Sequence, residues 1–185
     1  MPITNKMEYK MYLTEDARAL GRKEHRPNLF GDDIWKFERL MRKCEYSLTW
    51  TGLGRLISHC LRYKYYLRSV KLNYSIPLGV FGPGLALVHR GPVIVSKYAR
   101  VGKNCRLQTM TVIGATNGEN IAPTIGNNVY IAVGAKLIGD ISIADDVAIG
   151  AGSVVVKSIS ESGVTYAGVP ARKISNNSSA IHLRV

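Results

Sequence analysis

Residues 125–156 read IGNNVYIAVGAKLIGDISIADDVAIGAGSVVV, and an aliphatic side chain returns there every six residues, at Ile125, Ile131, Leu137, Ile143, Ile149 and Val155. Upstream the same spacing holds at Val95, Val101, Leu107 and Ile113. Gly or Ala follows at positions 102, 114, 126, 132, 144 and 150. Two residues before the aliphatic position stand Ala99, Cys105, Thr111, Ala135 and Ser153, with the larger Val129, Ile141 and Val147 as exceptions. Self-similarity at one fixed period marks a repeat architecture. A period of six predicts a triangular coil: each hexapeptide supplies one short strand and one corner, and three of them close a turn. The aliphatic residue points inward and stacks on its equivalent in the next coil, about 4.8 Å away. Strands in successive coils pair in parallel, which satisfies their backbone groups. Residues 93–113 and 125–156 leave no room for the helices of an ordinary βαβ protein.

The pattern breaks twice. Phe81, Leu87 and Val93 keep the spacing of six, but the next register starts at Val95, so residues 85–92 contain a shift. Residues 115–124 place Glu119 where an aliphatic residue is due, which predicts a loop thrown out of the prism. Loops on a rigid scaffold are favoured places for sites.

Residues 1–72 read as helical. Met11, Tyr12, Ala19 and Leu20 are spaced for a helix over 8–23, and Asp32 and Asp33 stand where a second helix begins, before Ile34, Trp35, Phe37, Leu40, Met41 and Cys44. Aspartate at that position caps free amides and suits the helix dipole. Leu53, Leu56, Ile57, Cys60, Leu61, Tyr65 and Leu67 form a third amphipathic pattern. Arg62, Lys64, Arg68 and Lys71 accompany it, as a solvated face or an anion-binding one. The expected organisation is a helical region over 1–72, a β-helix over 73–174 and a polar, fraying tail over 175–185.

The chain has 185 residues, 46% of them hydrophobic, and a formal net charge of +12. The excess is spread: residues 1–72 carry 15 basic and 8 acidic side chains, leaving 10 and 5 for the remainder. Nucleic acid, a polyanionic co-substrate or an anionic lipid-linked substrate would each suit such a balance. Nucleic acid is the weakest of these, because no basic block alternates with aromatics along a strand. No run of 18 apolar residues suggests a membrane span, and the polar N-terminus lacks the apolar stretch of a secretory signal, so a cytoplasmic location is expected. Cys44, Cys60 and Cys105 are in no metal-ligand spacing. Cys105 reads as core packing and not as an acyl-carrying nucleophile, and no metal is expected.

The repeats, together with residues 107–114 (LQTMTVIG) and 167–172 (AGVPAR), resemble the bacterial hexapeptide acyltransferases, in the branch of serine acetyltransferase and its polysaccharide O-acetyltransferase relatives. The resemblance covers about residues 75–174. It implies a left-handed parallel β-helix, a homotrimer with sites between neighbouring prisms, and acetyl-CoA as co-substrate in an inter-subunit groove. The family's catalytic histidine falls on His89, through Leu87, Val88, Gly91 and 93–95. Backbone near Gly114, Ala132, Val133, Gly150 and Ala151 is implied to line the pantetheine arm, with Arg172 or Lys173 meeting phosphates. Gln108 and Tyr74 are candidates for the acceptor side, each with a plain surface or core role as the alternative. Lys103 and Lys157 are either phosphate ligands or solvated corner residues.

Departures from the family bear on the acceptor. Val88 stands where an acid is expected, Tyr74 where an orienting acid is expected, and Ile121 and Ala122 where an Arg-His pair precedes Pro123. A free serine needs a cation for its carboxylate. The expected activity is therefore acetyl transfer to a hydroxyl of a sugar or polysaccharide precursor, with contact to a lipid-linked glycan at the membrane surface as one possibility. Serine acetylation in cysteine synthesis is the nearer rival. A non-catalytic β-helix scaffold, which a buried His89 would favour, is the third. Acetyl transfer requires a base for the alcohol, donors for the oxyanion and reactants held together. A neutral imidazole serves as the base near neutral pH.

Overall fold

The structure, a computed structural model, describes residues 3–24, 26–116 and 120–184; His25 and Glu119 lie outside these. Three helices come first: α1 (Lys6–Ala19), α2 (Asp33–Ser47) and α3 (Leu53–Leu72). The strands follow as β1 (Tyr74–Ser75), β2 (Ala86–Leu87), β3 (Val93–Val95), β4 (Arg100–Val101), β5 (Arg106–Leu107), β6 (Thr111–Gly114), β7 (Thr124–Ile125), β8 (Tyr130–Ile131), β9 (Lys136–Ile138), β10 (Ser142–Ile143), β11 (Ala148–Ile149), β12 (Val154–Val155), β13 (Thr165–Gly168) and β14 (Ala171–Ser175).

These strands form the three faces of a prism. Face A is β1-β3-β6-β9-β12, face B is β4-β7-β10, and face C is β2-β5-β8-β11-β13 with β14 added antiparallel. Within the prism all pairs are parallel, and the architecture is the left-handed parallel β-helix that the repeat and the resemblance predict. Ile131 pairs with Ile149, eighteen residues or three hexapeptides on. Leu107 pairs with Ile131 across twenty-four residues, because the 115–124 loop is inserted in that coil. Leu87 pairs with Leu107 across twenty, which is the register shift near residue 90. All ten repeat aliphatics are buried, as are the small residues that precede them, Cys105 included. Burial pushes the Cys105 thiol up to about 12, in keeping with a packing role.

Stacking demands identical corners. Asn104, Asn128 and Asp146, all with positive φ, lie one above another between faces B and C. Asn104 Nδ2 donates to Asn128 Oδ1 (2.8 Å) and Asn128 Nδ2 to Asp146 Oδ1 (2.9 Å). Asn and Asp tolerate this left-handed backbone better than most residues.

The first coil has no coil before it, and the helices take that place. Arg42 on α2 is fully buried, and its five N–H groups are all engaged. Nε and Nη2 donate to Asp16 (2.8 and 3.2 Å), Nη1 to Glu45 (3.1 Å) and the Phe81 carbonyl (2.9 Å), and Nη2 also to the Gly82 carbonyl (2.7 Å). Three acids of the helices then accept first-coil amides: Asp16 those of Gly84 and Leu85, Glu45 that of Gly79, Glu38 that of Leu87.

Three local expectations are corrected. Asp32 precedes α2 but caps none of its amides; it sits in a left-handed conformation, accepts from the Asn28 amide and pairs with Arg22 (2.9 Å). The apolar set assigned to α3 does not all face the core: Tyr65 is buried, whereas Leu53, Leu56, Ile57 and Leu67 are exposed. Helical phase puts Ser58, Tyr65 and Leu72 inside instead. The described part of the tail, 176–184, docks back on the protein. It forms a 3-10 turn over Ser179–His182, buries Ser179 against the Asn128 carbonyl, stacks His182 on Tyr130 (4.2 Å between ring centres), and reaches the Leu20 carbonyl through Arg184 (3.1 Å).

Two predictions follow from the helix–prism joint. Arg42→Ala strands two buried carboxylates and lowers unfolding free energy by about 3–5 kcal/mol in chemical denaturation. Burial and the nearby Asp16 hold the Glu38 carboxyl well above its ordinary 4.5. Stability from this group is full below that value. It declines at higher pH, where the unfolded chain ionises and the folded one does not, until the folded value is passed. Glu38→Gln keeps an acceptor for Leu87 and removes this slope, so its melting temperature gains on the unsubstituted protein as pH rises.

Candidate active site

Segment 87–93 joins face C to face A at the first corner, and it is held along its length. Leu87 N donates to Glu38 (2.7 Å) and Val88 N to the Leu107 carbonyl (3.2 Å). The Tyr74 hydroxyl donates to the His89 carbonyl (2.7 Å), Arg90 pairs with Asp33 of α2 (2.8 Å), and Gly91 N donates to the Leu72 carbonyl (3.2 Å). Gly91 has φ 126°, and a Cβ there would strike the Thr109 hydroxyl. The backbone is thereby fixed while the His89 side chain stays exposed. Among the described residues no carboxylate bonds the ring. Tyr74, the candidate for the acceptor side, is buried against Phe37 (5.0 Å) and acts on His89 through the backbone. Burial drives its hydroxyl pKa upward, so it remains a donor.

The corner below His89 repeats in each coil. Gln108, then Ala132 and Val133, then Gly150 and Ala151, occupy the same C-to-A turn, joined by Gln108 N to the Ile131 carbonyl, Gly134 N to Thr109, and Gly152 N to Val133. Gln108 is half-buried. Among the described residues nothing accepts from the amides of Val133 and Ala151, and both residues are exposed. They offer two donors about one coil spacing apart to the carbonyls of an extended chain. Gly114 is not part of this column. It ends β6 at the A-to-B corner, where its carbonyl accepts from Gly139 N (3.0 Å).

At the far end, β14 folds back on β13, and a cleft of about 450 Å³ opens between it and the last coil. Lys157, Tyr166, Arg172 and Lys173 are among its lining residues. Lys173 pairs with Glu161 (2.6 Å), while the Arg172 guanidinium reaches, among the described residues, its neighbour's carbonyl. Three cations in one cleft suit a polyphosphate. From the sequence Lys157 reads as a solvated corner as readily as a ligand, because its neighbours arrive from a hairpin fifteen residues later. Lys103 lies on the B-to-C corner, remote from this column.

No protein-family model matches the chain. Curated relatives are serine acetyltransferases. That of Synechococcus elongatus is 35% identical over 124 residues, covering 66% of this chain and 48% of the relative. That of Staphylococcus epidermidis is 32% identical over 142 residues, 68% of this chain and 66% of the relative. Among solved structures, serine acetyltransferase from Brucella abortus superposes with a TM-score of 0.68 at 27% identity, over 94% of this chain and 72% of that one. The chain belongs to the serine acetyltransferase-like branch of the hexapeptide-repeat acyltransferases. It spans about half the length of the first curated relatives it matches. The Brucella abortus enzyme is also known in complex with coenzyme A.

The clustered cations give the cleft a testable expectation, with coenzyme A as the polyphosphate probe. Lys157→Ala combined with Arg172→Ala weakens coenzyme A binding by about tenfold or more in calorimetry, at one charge-assisted contact of about 1.5–3 kcal/mol for each cation that meets phosphate. Desphospho-coenzyme A lacks part of that charge and should lose less.

Proposed function

We propose that the protein is an acetyl-CoA-dependent O-acetyltransferase whose acceptor is the hydroxyl of serine. The observation that carries this is an exposed His89 on a fixed backbone, at the head of a corner column with two free amides and three cations at its far end. The exposure of His89 speaks against the scaffold reading. In the proposed arrangement the pantetheine arm runs along the column, with its carbonyls on the Val133 and Ala151 amides and its phosphates toward Lys157, Arg172 and Lys173.

His89 takes the proton as the serine oxygen attacks the thioester carbonyl. The tetrahedral oxyanion collapses, the C–S bond breaks, and the leaving thiolate takes the proton back from the imidazolium. The base contributes roughly 10²–10⁴-fold. The exposed ring has room for a neighbouring prism, and we take the working form to be a trimer.

The acceptor assignment rests on the relatives, which are serine acetyltransferases, and on the Arg90–Asp33 pair beside His89. The cation missing from the 115–124 loop is available there: Arg90 for the serine carboxylate, Asp33 for its ammonium. This replaces the sugar acceptor as the leading reading. Val88 and the Ile121–Ala122 pair still favour a sugar, so that remains the second reading.

The test is thiol release from acetyl-CoA with serine, amino sugars, nucleotide sugars and oligosaccharides in parallel. Serine should give the highest kcat/KM. His89→Ala should lower kcat about 10²–10⁴-fold with little change in coenzyme A affinity. A sugar that exceeds serine establishes the second reading, and activity of His89→Ala within a few-fold removes the base. Sedimentation should give about three times the 20.4 kDa chain mass.

A further inference from the structure

Helix α3 is amphipathic twice over. Ser58, Tyr65 and Leu72, seven residues apart, form its buried face. The opposite side is not polar. Leu56, Tyr63 and Val70, also seven apart, point away from the protein and are 66%, 65% and 63% exposed. Leu67 and Cys60 lie beside them, and Leu53 at the start of the helix is 85% exposed. At 3.6 residues per turn this stripe runs the length of the helix, about 30 Å. Basic side chains border it on both edges: Lys64 and Lys71 on one, Arg55 and Arg62 on the other, all exposed. Between Glu45 and Glu119 the chain contains no Asp or Glu.

We propose that the outer face of α3 docks the protein on an anionic phospholipid surface. An apolar stripe flanked by cations suits a bilayer interface. The stripe enters the acyl boundary, and the long Lys and Arg side chains keep their charges at headgroup level. Charge complementarity selects this occupant. A second copy of α3 laid on the first would bring like charges together along both edges, with no acid on either helix to relieve them. Nucleic acid would meet the cations but leave the apolar centre of the stripe without a partner. The proposal is independent of the acceptor and of His89. It accounts for charge and exposed apolar surface that the acetyl-transfer site does not use.

The experiment is cosedimentation of the full chain with vesicles, with the melting temperature of every variant read alongside. Phosphatidylcholine vesicles containing about one-third phosphatidylglycerol should bind it at least tenfold more tightly than pure phosphatidylcholine, at roughly a fivefold gain for each basic residue near the surface. Added salt should weaken the binding. Lys64→Gln with Lys71→Gln should cost about tenfold or more, Leu56→Gln with Val70→Gln should also weaken binding, and Lys97→Gln with Lys103→Gln, off this helix, should leave it unchanged. The proposal is overturned by equal or absent binding to the two vesicle types. Tighter binding to a DNA duplex than to anionic vesicles also overturns it. So does dissociation of an oligomer by Leu56→Gln with Val70→Gln in sedimentation, which would assign the face to a second copy.

Discussion

A β-helix must be terminated, and in this protein the termination rests on one guanidinium. Every inner coil finds its amide and carbonyl partners in the coils on either side. The first coil lacks one of those neighbours, and its unpaired edge would be costly if buried and adhesive if exposed. Arg42 donates to two of its carbonyls, and the carboxylates of Asp16 and Glu45, themselves held by Arg42, accept from three of its amides. The helices thus serve as an artificial coil made of side chains. Two carboxylates flank the one buried cation, and Glu38, the third acid of the cluster, is the one whose burial favours the neutral form.

The same joint reaches the site. Glu38 holds Leu87, and Asp33 on the same helix holds Arg90, so α2 grips the chain on both sides of His89. Tyr74 completes the hold from the first strand of face A. His89 stands two residues after Leu87, as Val133 and Ala151 stand two after Ile131 and Ile149, and like them it is exposed. The backbone that carries His89 is thus held from three sides while its ring is exposed.

Features that depend on stacking were legible one residue at a time. The ten repeat aliphatics are all buried, and corner positions such as Ala132 and Gly150 line up because each coil copies the last. Features that depend on where a non-repeating segment lands were not. The Lys157 cleft needs the β14 hairpin to fold back, and the tail looked polar and loose until its turn met Asn128 and Tyr130. Gly114 obeyed the repeat yet fell on another corner, because a glycine after an aliphatic marks a corner without saying which of the three it is.

The sequence by itself determined the prism: a period of six admits one way to bury an aliphatic stack and pair every strand, and the chain's local preferences agree with it. It also determined His89 as the histidine at the register break. Only the tertiary structure decided how the coils are capped, what grips His89, which cations share a cleft and which side of α3 faces out. The pattern of α3 contains two apolar rows on different sides of one helix, and hydrophobicity alone does not say which row the protein buries. That choice belongs to α2 and the first coil, which pack against Tyr65 and Leu72 and are not part of the helix's own pattern.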